Sequence, residues 1–166
     1  MAQLYPVAGA RIFIGPAVTT VPDDADIDAA DFAAVVWTEI KGWQTMGSIG
    51  DNATLITESI ISNSRDIKAK GTRNAGSMQN NFIIMPTDPG QIALIAAENS
   101  PFNFPFKIEF DDAPPTGAAP TPTIKYFYGI VMSSQEQGGG ANTARLISGN
   151  VEVNSAIVTV AADTGD

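Results

Sequence analysis

Apolar and polar residues alternate along much of this chain, and the alternation predicts short β-strands. The predicted strands are Arg11–Gly15, Val35–Ile40, Met78–Met85, Phe104–Phe110, Lys125–Ser133, Ala144–Ser148 and Val151–Val160. In Phe104–Phe110 four apolar side chains share one face, and Lys107 and Glu109 point the other way. Ser148, Gly149 and Asn150 predict a tight hairpin turn between the last two strands.

One segment, about 88–98, combines helical periodicity with helix-capping residues. Asp88 is a favourable N-cap, Pro89 suits the first helical position, and Gln91 lies where a capping-box partner is expected. An apolar stripe that would cover a sheet is formed by Ile92, Ile95 and Ala96, flanked by Leu94. We expect the helix to end near Asn99–Pro101.

These elements predict a mainly β fold. We expect an antiparallel β-sandwich or barrel with one flanking α-helix. A length of 166 residues suits a single domain over residues 1–166, which begins with an N-terminal strand and an acidic loop over residues 1–34.

The segment Val35–Ser77 is unusually long and polar for a compact domain. Within it, Ala53–Ile61 and Arg65–Lys70 could pair as a hairpin, in which Asp66, Lys68 and Lys70 would share one face and leave a thin apolar face opposite. Long segments of this kind are usually functional or order on binding. We therefore predict an extended assembly arm over about residues 44–75 that contacts another protein chain.

Charge modifies this picture in two ways. The net charge is −9 with only nine Lys and Arg residues, which argues against a nucleic-acid-binding surface. Residues 41–75 nevertheless carry five basic against three acidic side chains, whereas residues 1–40 carry one basic against six acidic. A basic block in an acidic chain could dock on an acidic surface of an identical neighbour, and simple scatter of charges is the alternative.

The candidate chemical motifs are incomplete. The chain has no Cys and no His, which excludes disulfides, thiolate chemistry, His-based catalysis and the commonest zinc ligands. Asp24–Asp28 resembles the start of an EF-hand loop, but Ala29 and Val35 occupy the required glycine and glutamate positions. Gly138–Gly140 is followed by no Lys-Ser/Thr pair and is better read as a flexible hairpin tip. We predict no enzyme activity and no catalytic, cofactor or metal site, and we identify no signal peptide or membrane span.

An ordered series of motifs resembles a known family. The series is WTEIKG at Trp37–Gly42, DIKAKGTRNAG at Asp66–Gly76, DPGQIALIAA at Asp88–Ala97 and GIVMSS at Gly129–Ser134. It is similar to the major tail tube protein of long non-contractile-tailed, lambda-like bacteriophages. The similarity covers roughly residues 35–161, and the acidic residues 17–34 and the Pro-rich turn at 111–122 match no part of it.

The resemblance implies a structural virion protein of the phage tail, assembled in the host cytoplasm. Its subunits would form hexameric rings that stack into a hollow tube, and DNA would pass through the lumen without specific binding. The implied partners are further copies of the chain, the tape-measure protein, the tail terminator and distal tail proteins, with no cofactor and no membrane. The alternatives are a related ring or tube former, namely a contractile-tail or type VI secretion tube protein or a tail terminator, and a ligand-binding β-barrel domain.

Within this hypothesis two sets of residues are candidate sites. Contacts between subunits or rings are assigned to Trp43, Met46, Ile49, Asp51, Leu55, Ile56, Ile60, Lys68, Lys70 and Arg73. Lumen-lining positions are assigned to Thr38, Lys41, Asp66, Lys68, Lys70, Glu152 and Asn154. Trp43 would act as an interface anchor, with ordinary core packing as the alternative, whereas we expect Trp37 to lie in the core.

Overall fold

A computed structural model describes residues 4–166 of the chain. Its strands are β1 Arg11–Ile14, β2 Thr38–Glu39, β3 Trp43–Thr45, β4 Asn52–Glu58, β5 Ile67–Asn74, β6 Ser77–Ile83, β7 Phe104–Glu109, β8 Ile124–Gln137, β9 Leu146–Val153 and β10 Val158–Val160. Its helices are α1 Pro89–Glu98 and a short 3₁₀ helix, Ala29–Phe32. The mainly β fold with one flanking α-helix is confirmed.

Eight strands form one antiparallel sheet that curls into a half-barrel. Its order is β2-β1-β7-β8-β9-β6-β3, and β10 pairs with β8. The end strands β2 and β3 are consecutive in sequence, separated only by Ile40, Lys41 and Gly42. So short a connection between the two edges requires the sheet to curl until the edges approach each other. We call this sheet with α1 the body.

The core lies inside the curl, beneath α1. Its buried side chains include Ile12, Ile14, Ile40, Met78, Phe82, Leu94, Phe106, Ile108, Phe127, Val131, Ile147 and Val151. The inward face predicted for Phe104–Phe110 is confirmed, because Phe106 and Ile108 are fully buried.

The predicted turn at Ser148–Asn150 is wrong. These residues lie inside the continuous strand β9, where Gly149 pairs with Asn80 on one side and Ser134 on the other. A Cβ atom at Gly149 would lie 3.3 Å from Leu94 Cδ2. The glycine therefore allows α1 to approach the sheet closely and does not mark a turn.

The apolar stripe predicted on the helix is also wrong. The buried face of α1 consists of Gly90, Gln91, Leu94 and Ala97, whereas Ile92 and Ile95 are 54% and 41% exposed. Gly90 packs so tightly that a Cβ there would lie 2.0 Å from the carbonyl oxygen of Glu39. This contact sets the rotation of the helix, and it directs the isoleucines outward.

Asp88 and Gln91 link the β2–β3 connection to the end of β6. The Asp88 carboxylate accepts hydrogen bonds from the backbone N–H of Gln91 (2.9 Å), as predicted for an N-cap, and from that of Lys41 (3.2 Å). Gln91 does not complete a capping box, because the Asp88 N–H donates to the Met85 carbonyl. Instead its amide accepts from Met85 N (2.9 Å) and donates to the carbonyls of Lys41 and Ile83 (2.8 Å each). Lys41 lies in the β2–β3 connection and Ile83 ends β6, so this cluster, the seam cluster, holds the curl closed.

An aromatic layer covers part of the sheet's outer face. Phe32, at the end of the 3₁₀ helix, is 2% exposed and stacks on Tyr126 and Tyr128 at 5.0 and 4.8 Å between ring centroids. Trp37 joins the stack at 6.4 Å from Phe32 and is only partly buried, so it lies outside the core that we predicted for it. Of the predicted strand Val35–Ile40, only Thr38 and Glu39 form a strand, β2. The first half of the predicted strand runs along the aromatic layer instead.

Candidate assembly surfaces

The hairpin β4–β5 forms a separate two-stranded sheet, which we call the arm, residues 52–74. Its register pairs Leu55 with Lys70, Ile56 with Ala69, and Glu58 with Ile67. At the tip, the Ser59 hydroxyl donates to Asp66 over 2.6 Å. The predicted hairpin is confirmed, and β5 continues four residues beyond the predicted end at Lys70.

The arm has two chemically different faces. Cross-strand pairing places Leu55, Thr57, Lys68 and Lys70 on one face and Ile56, Glu58, Ile67 and Ala69 on the other. The large apolar side chains of the arm are between 46% and 108% exposed; they are Leu55, Ile56, Ile60, Ile61 and Ile67. Among the described residues, neither Lys68 nor Lys70 forms an ion pair. The arm therefore offers apolar and basic groups that its own subunit leaves uncovered.

The base of the arm lies against the body. Arg73 and Asp51, both predicted contact residues, lie together with 3.8 Å between Nη1 and Oδ2. They line an open pocket of about 290 Å³ with Asn154 and Asp24, and the Asp24 carboxylate accepts from the Ala156 N–H over 2.7 Å. Arg73 thus already has a partner within its own subunit.

The remaining predicted contact residues, apart from the exposed arm residue Ile60, belong to the body. Trp43, Met46 and Ile49 are partly buried and pack against the core. The Trp43 indole donates to Asn80 Oδ1 over 3.1 Å, and the Gly47 N–H donates to the same oxygen. The segment that projects from the body is therefore shorter than the predicted 44–75. The role of these residues in subunit contacts stays a prediction.

The structure does not bring the predicted lumen residues together. Thr38 and Lys41 lie at the β2 edge, Asp66, Lys68 and Lys70 lie on the arm, and Glu152 and Asn154 lie at the end of β9. Their lumen role stays a prediction.

A continuous polar face lies on β6, β9 and the distal half of β8, on the side away from the core. Its paired rows consist of Ser77, Gln79, Asn81, Ser133, Gln135, Ser148, Asn150 and Glu152. Glu152 is the single ionisable group among these eight side chains. Sequence reasoning missed this face because the wrongly predicted turn interrupted β9, and because the consecutive polar residues Gln79, Asn80 and Asn81 hide the alternation of β6.

The described part of the chain contains no cluster of ionisable side chains that suggests a metal or catalytic site. No group of three or more Asp and Glu side chains among residues 4–166 is placed to hold a metal ion. The clear pKa shifts belong to Tyr126 and Tyr128, whose pKa values are raised by burial and, less strongly, by Glu109 and Asp31 respectively. No helix described in the structure is long and apolar enough to cross a membrane.

Comparison with known proteins gives matches by structure alone. No family model matches the chain, and no curated protein matches its sequence. A protein of the six-fold symmetrised anti-feeding prophage baseplate superposes with a TM-score of 0.67 at 11% identity, covering 97% of this chain and 98% of that one. The SPP1 tail tube protein gives 0.63 at 15% identity, covering 97% and 80% respectively. A tail protein of an empty GTA particle, refined with C6 symmetry, gives 0.53 at 15% identity, covering 75% and 87%.

The chain has the phage tail-tube fold. At these identities the similarity establishes the fold and leaves function to be argued from the surfaces of this chain. Among the described residues, the arm and the polar face are surfaces that packing within the subunit does not explain.

Proposed function

We propose that this protein is a structural virion protein, a subunit of hexameric rings that stack into the hollow tail tube of a long non-contractile-tailed phage and deliver DNA through the lumen. The observation that carries the proposal is the fold shared with tail and baseplate proteins over 97% of the chain. The exposed arm supports it, because an isolated two-stranded hairpin is at best marginally stable in water.

The arm fits the role of a contact between rings. Its isoleucines are exposed, and within residues 4–166 Lys68 and Lys70 form no ion pair, so a neighbouring subunit would supply the partners. Head-to-tail contacts that do not close generate filaments, as a tube requires. We propose that the arm becomes ordered on a neighbouring subunit.

The polar face fits the lining of a conduit. Hydroxyl and amide side chains hydrate well and offer no cations to phosphate groups, and the net charge of −9 disfavours DNA binding further. We therefore propose that this face, including the predicted residue Glu152, lines the lumen and lets DNA pass without specific binding.

The proposal places the chain in the virion tail, without enzyme activity. Its partners would be further copies of the chain, the tape-measure protein, the tail terminator and distal tail proteins. A baseplate protein shares the fold as well as a tail tube protein does, so a contractile-tail or secretion tube protein, or a terminator ring, is the alternative. A ligand-binding barrel is less well supported, because the described pockets are open depressions on the surface.

Negative-stain electron microscopy over a series of protein concentrations tests the proposal. We expect rings or hollow tubes from the full chain. The matched control replaces residues 52–74 with a short Gly-Ser linker and should give a folded protein without tubes. A full chain that stays monomeric at every concentration would overturn the proposal.

A further inference from the structure

An apolar groove lies between α1 and the distal ends of β8 and β9. Ile92, Ile95 and Met85 line it with exposures of 54%, 41% and 42%, and Ile147 forms part of its floor. Its volume is about 330 Å³, and a second depression of about 490 Å³ shares Ile84–Pro86 with it. Exposed isoleucines clustered in this way indicate a surface that another protein covers.

One ion pair borders the groove. Arg145 Nη2 and Glu136 Oε2 are 2.7 Å apart, and both side chains remain more than half exposed. They lie on either side of the hairpin tip that contains Gly138–Gly140. A ligand for this groove should therefore combine apolar side chains with a polar or charged group at the border.

The arm provides a complementary surface. Ile56 and Ile67 share its apolar face at 46% and 49% exposure, and Glu58 lies directly opposite Ile67. Lys68 is the next residue along β5 and points to the other face. Glu58 shares the face of the isoleucines and can thus approach Arg145 when they enter the groove, whereas Lys68 stays on the opposite face of the arm.

The arm and the groove lie at opposite ends of β6. The arm returns to the body at Gly76, immediately before β6 begins at Ser77, and the groove residues Ile84 and Met85 follow its end at Ile83. Seven residues of strand span about 23 Å. A copy displaced along the direction of β6 would bring its groove toward the arm of the first copy, and this contact would repeat without closing.

We infer that the groove of one subunit receives the Ile56–Ile67 face of the arm from a second copy of this chain. The inference rests on the proposed function and extends it by naming the receiving surface. It also explains why α1 directs Ile92 and Ile95 outward.

Paired cysteines test the contact directly, because the natural chain contains none. In the variant Ile67→Cys with Ile92→Cys, mild oxidation of the assembled protein should produce a ladder of covalent multimers on a denaturing gel. The matched control combines Ile67→Cys with Thr116→Cys, an exposed residue of the Pro-rich turn, and should give no ladder. All three positions are exposed, so the substitutions should leave the fold unchanged. Circular dichroism checks this.

The outcomes separate the two proposals. Tubes with no ladder, or equal ladders in the test and control variants, would overturn the groove assignment and leave the tube function intact. A wild-type chain that forms neither rings nor tubes would overturn both. As a second measurement, Ile92→Ser with Ile95→Ser should raise the concentration needed for assembly at least about tenfold, whereas unchanged assembly would contradict the inference.

Discussion

The body and the arm differ in where their hydrophobic side chains find partners. In the body, Phe106 and Phe127 are fully buried beneath one helix and stack on each other with 5.4 Å between centroids. In the arm, Leu55 is 63% exposed and Ile61 has no cover at all. Both regions are antiparallel β-structure with alternating side chains, so strand formation by itself does not produce a core.

The difference follows from how many layers each region has. The eight strands of the body bury one face under α1, and the seam cluster of Asp88 and Gln91 fixes the curl. The arm has two strands, and none of the described residues forms a layer over it. A surface of this kind can be kept in a soluble subunit when basic side chains accompany it, as Lys68 and Lys70 do.

The largest expected contrast is in amide hydrogen exchange. In the isolated subunit, amides of 52–74 should exchange at least about a thousand times faster than those of β8 and β9, because the arm opens without unfolding the body. Assembly should protect the arm and leave the body unchanged. Mass spectrometry of both states measures this, and equal protection of arm and body in the monomer would remove the contrast.

The next largest effect should come from Gln91→Leu. The substitution removes the side-chain partner of one N–H and two carbonyls in a partly buried site, and each orphaned group costs about 1–3 kcal/mol where water cannot replace the partner. We expect a loss of about 3 kcal/mol or more in the free energy of unfolding, measured by chemical denaturation. The matched control Gln44→Leu, at an exposed position of β3, should change it by less than about 0.5 kcal/mol. A small effect of Gln91→Leu would show that the curl does not depend on the seam.

Much of the fold could be predicted from sequence because its signals are local. The alternation of Phe104–Phe110 identified a strand and its inward face correctly, and Asp88 with Pro89 located the start of α1. The arm was predicted from polarity and length together with the pairing of Ala53–Ile61 and Arg65–Lys70. Hairpin pairing is a contact between neighbours in the chain, so it leaves a local signal.

The errors involve contacts between residues that are distant in the chain. Gly149 has the composition of a turn, but its role depends on Leu94, which lies 55 positions earlier. The rotation of α1 depends on Gly90 against Glu39, and no periodicity within the helix reports that contact. The groove beside α1 was missed for the same reason, since Ile92 and Ile95 were expected to cover the sheet.

A smaller effect, confined to assembly, is expected for Lys68→Glu with Lys70→Glu. The two substitutions lower the net charge of the arm by four units. They should raise the protein concentration required for tube formation by about tenfold, and the effect should weaken at high salt. Sedimentation of tubes against protein concentration measures it. The control Lys68→Arg with Lys70→Arg should assemble normally, and both variants should keep the unfolding free energy of the parent. A destabilised monomer would mean that the arm supports the body after all.

The smallest effect is a pH dependence that should act on the body alone, because Tyr126 and Tyr128 lie in its aromatic layer and the arm contains no tyrosine. Burial raises their pKa above the ordinary value of 10.0, so the unfolded chain loses these protons first as the pH rises. The stabilisation is therefore complete below about pH 10 and is lost progressively above it. The free energy of unfolding, measured from pH 8 to 11, should show this decline. The double variant Tyr126→Phe with Tyr128→Phe should reduce the decline, whereas the control Tyr5→Phe, at a 61% exposed position, should not. An identical decline in the double variant would assign the alkaline sensitivity to groups outside the aromatic layer.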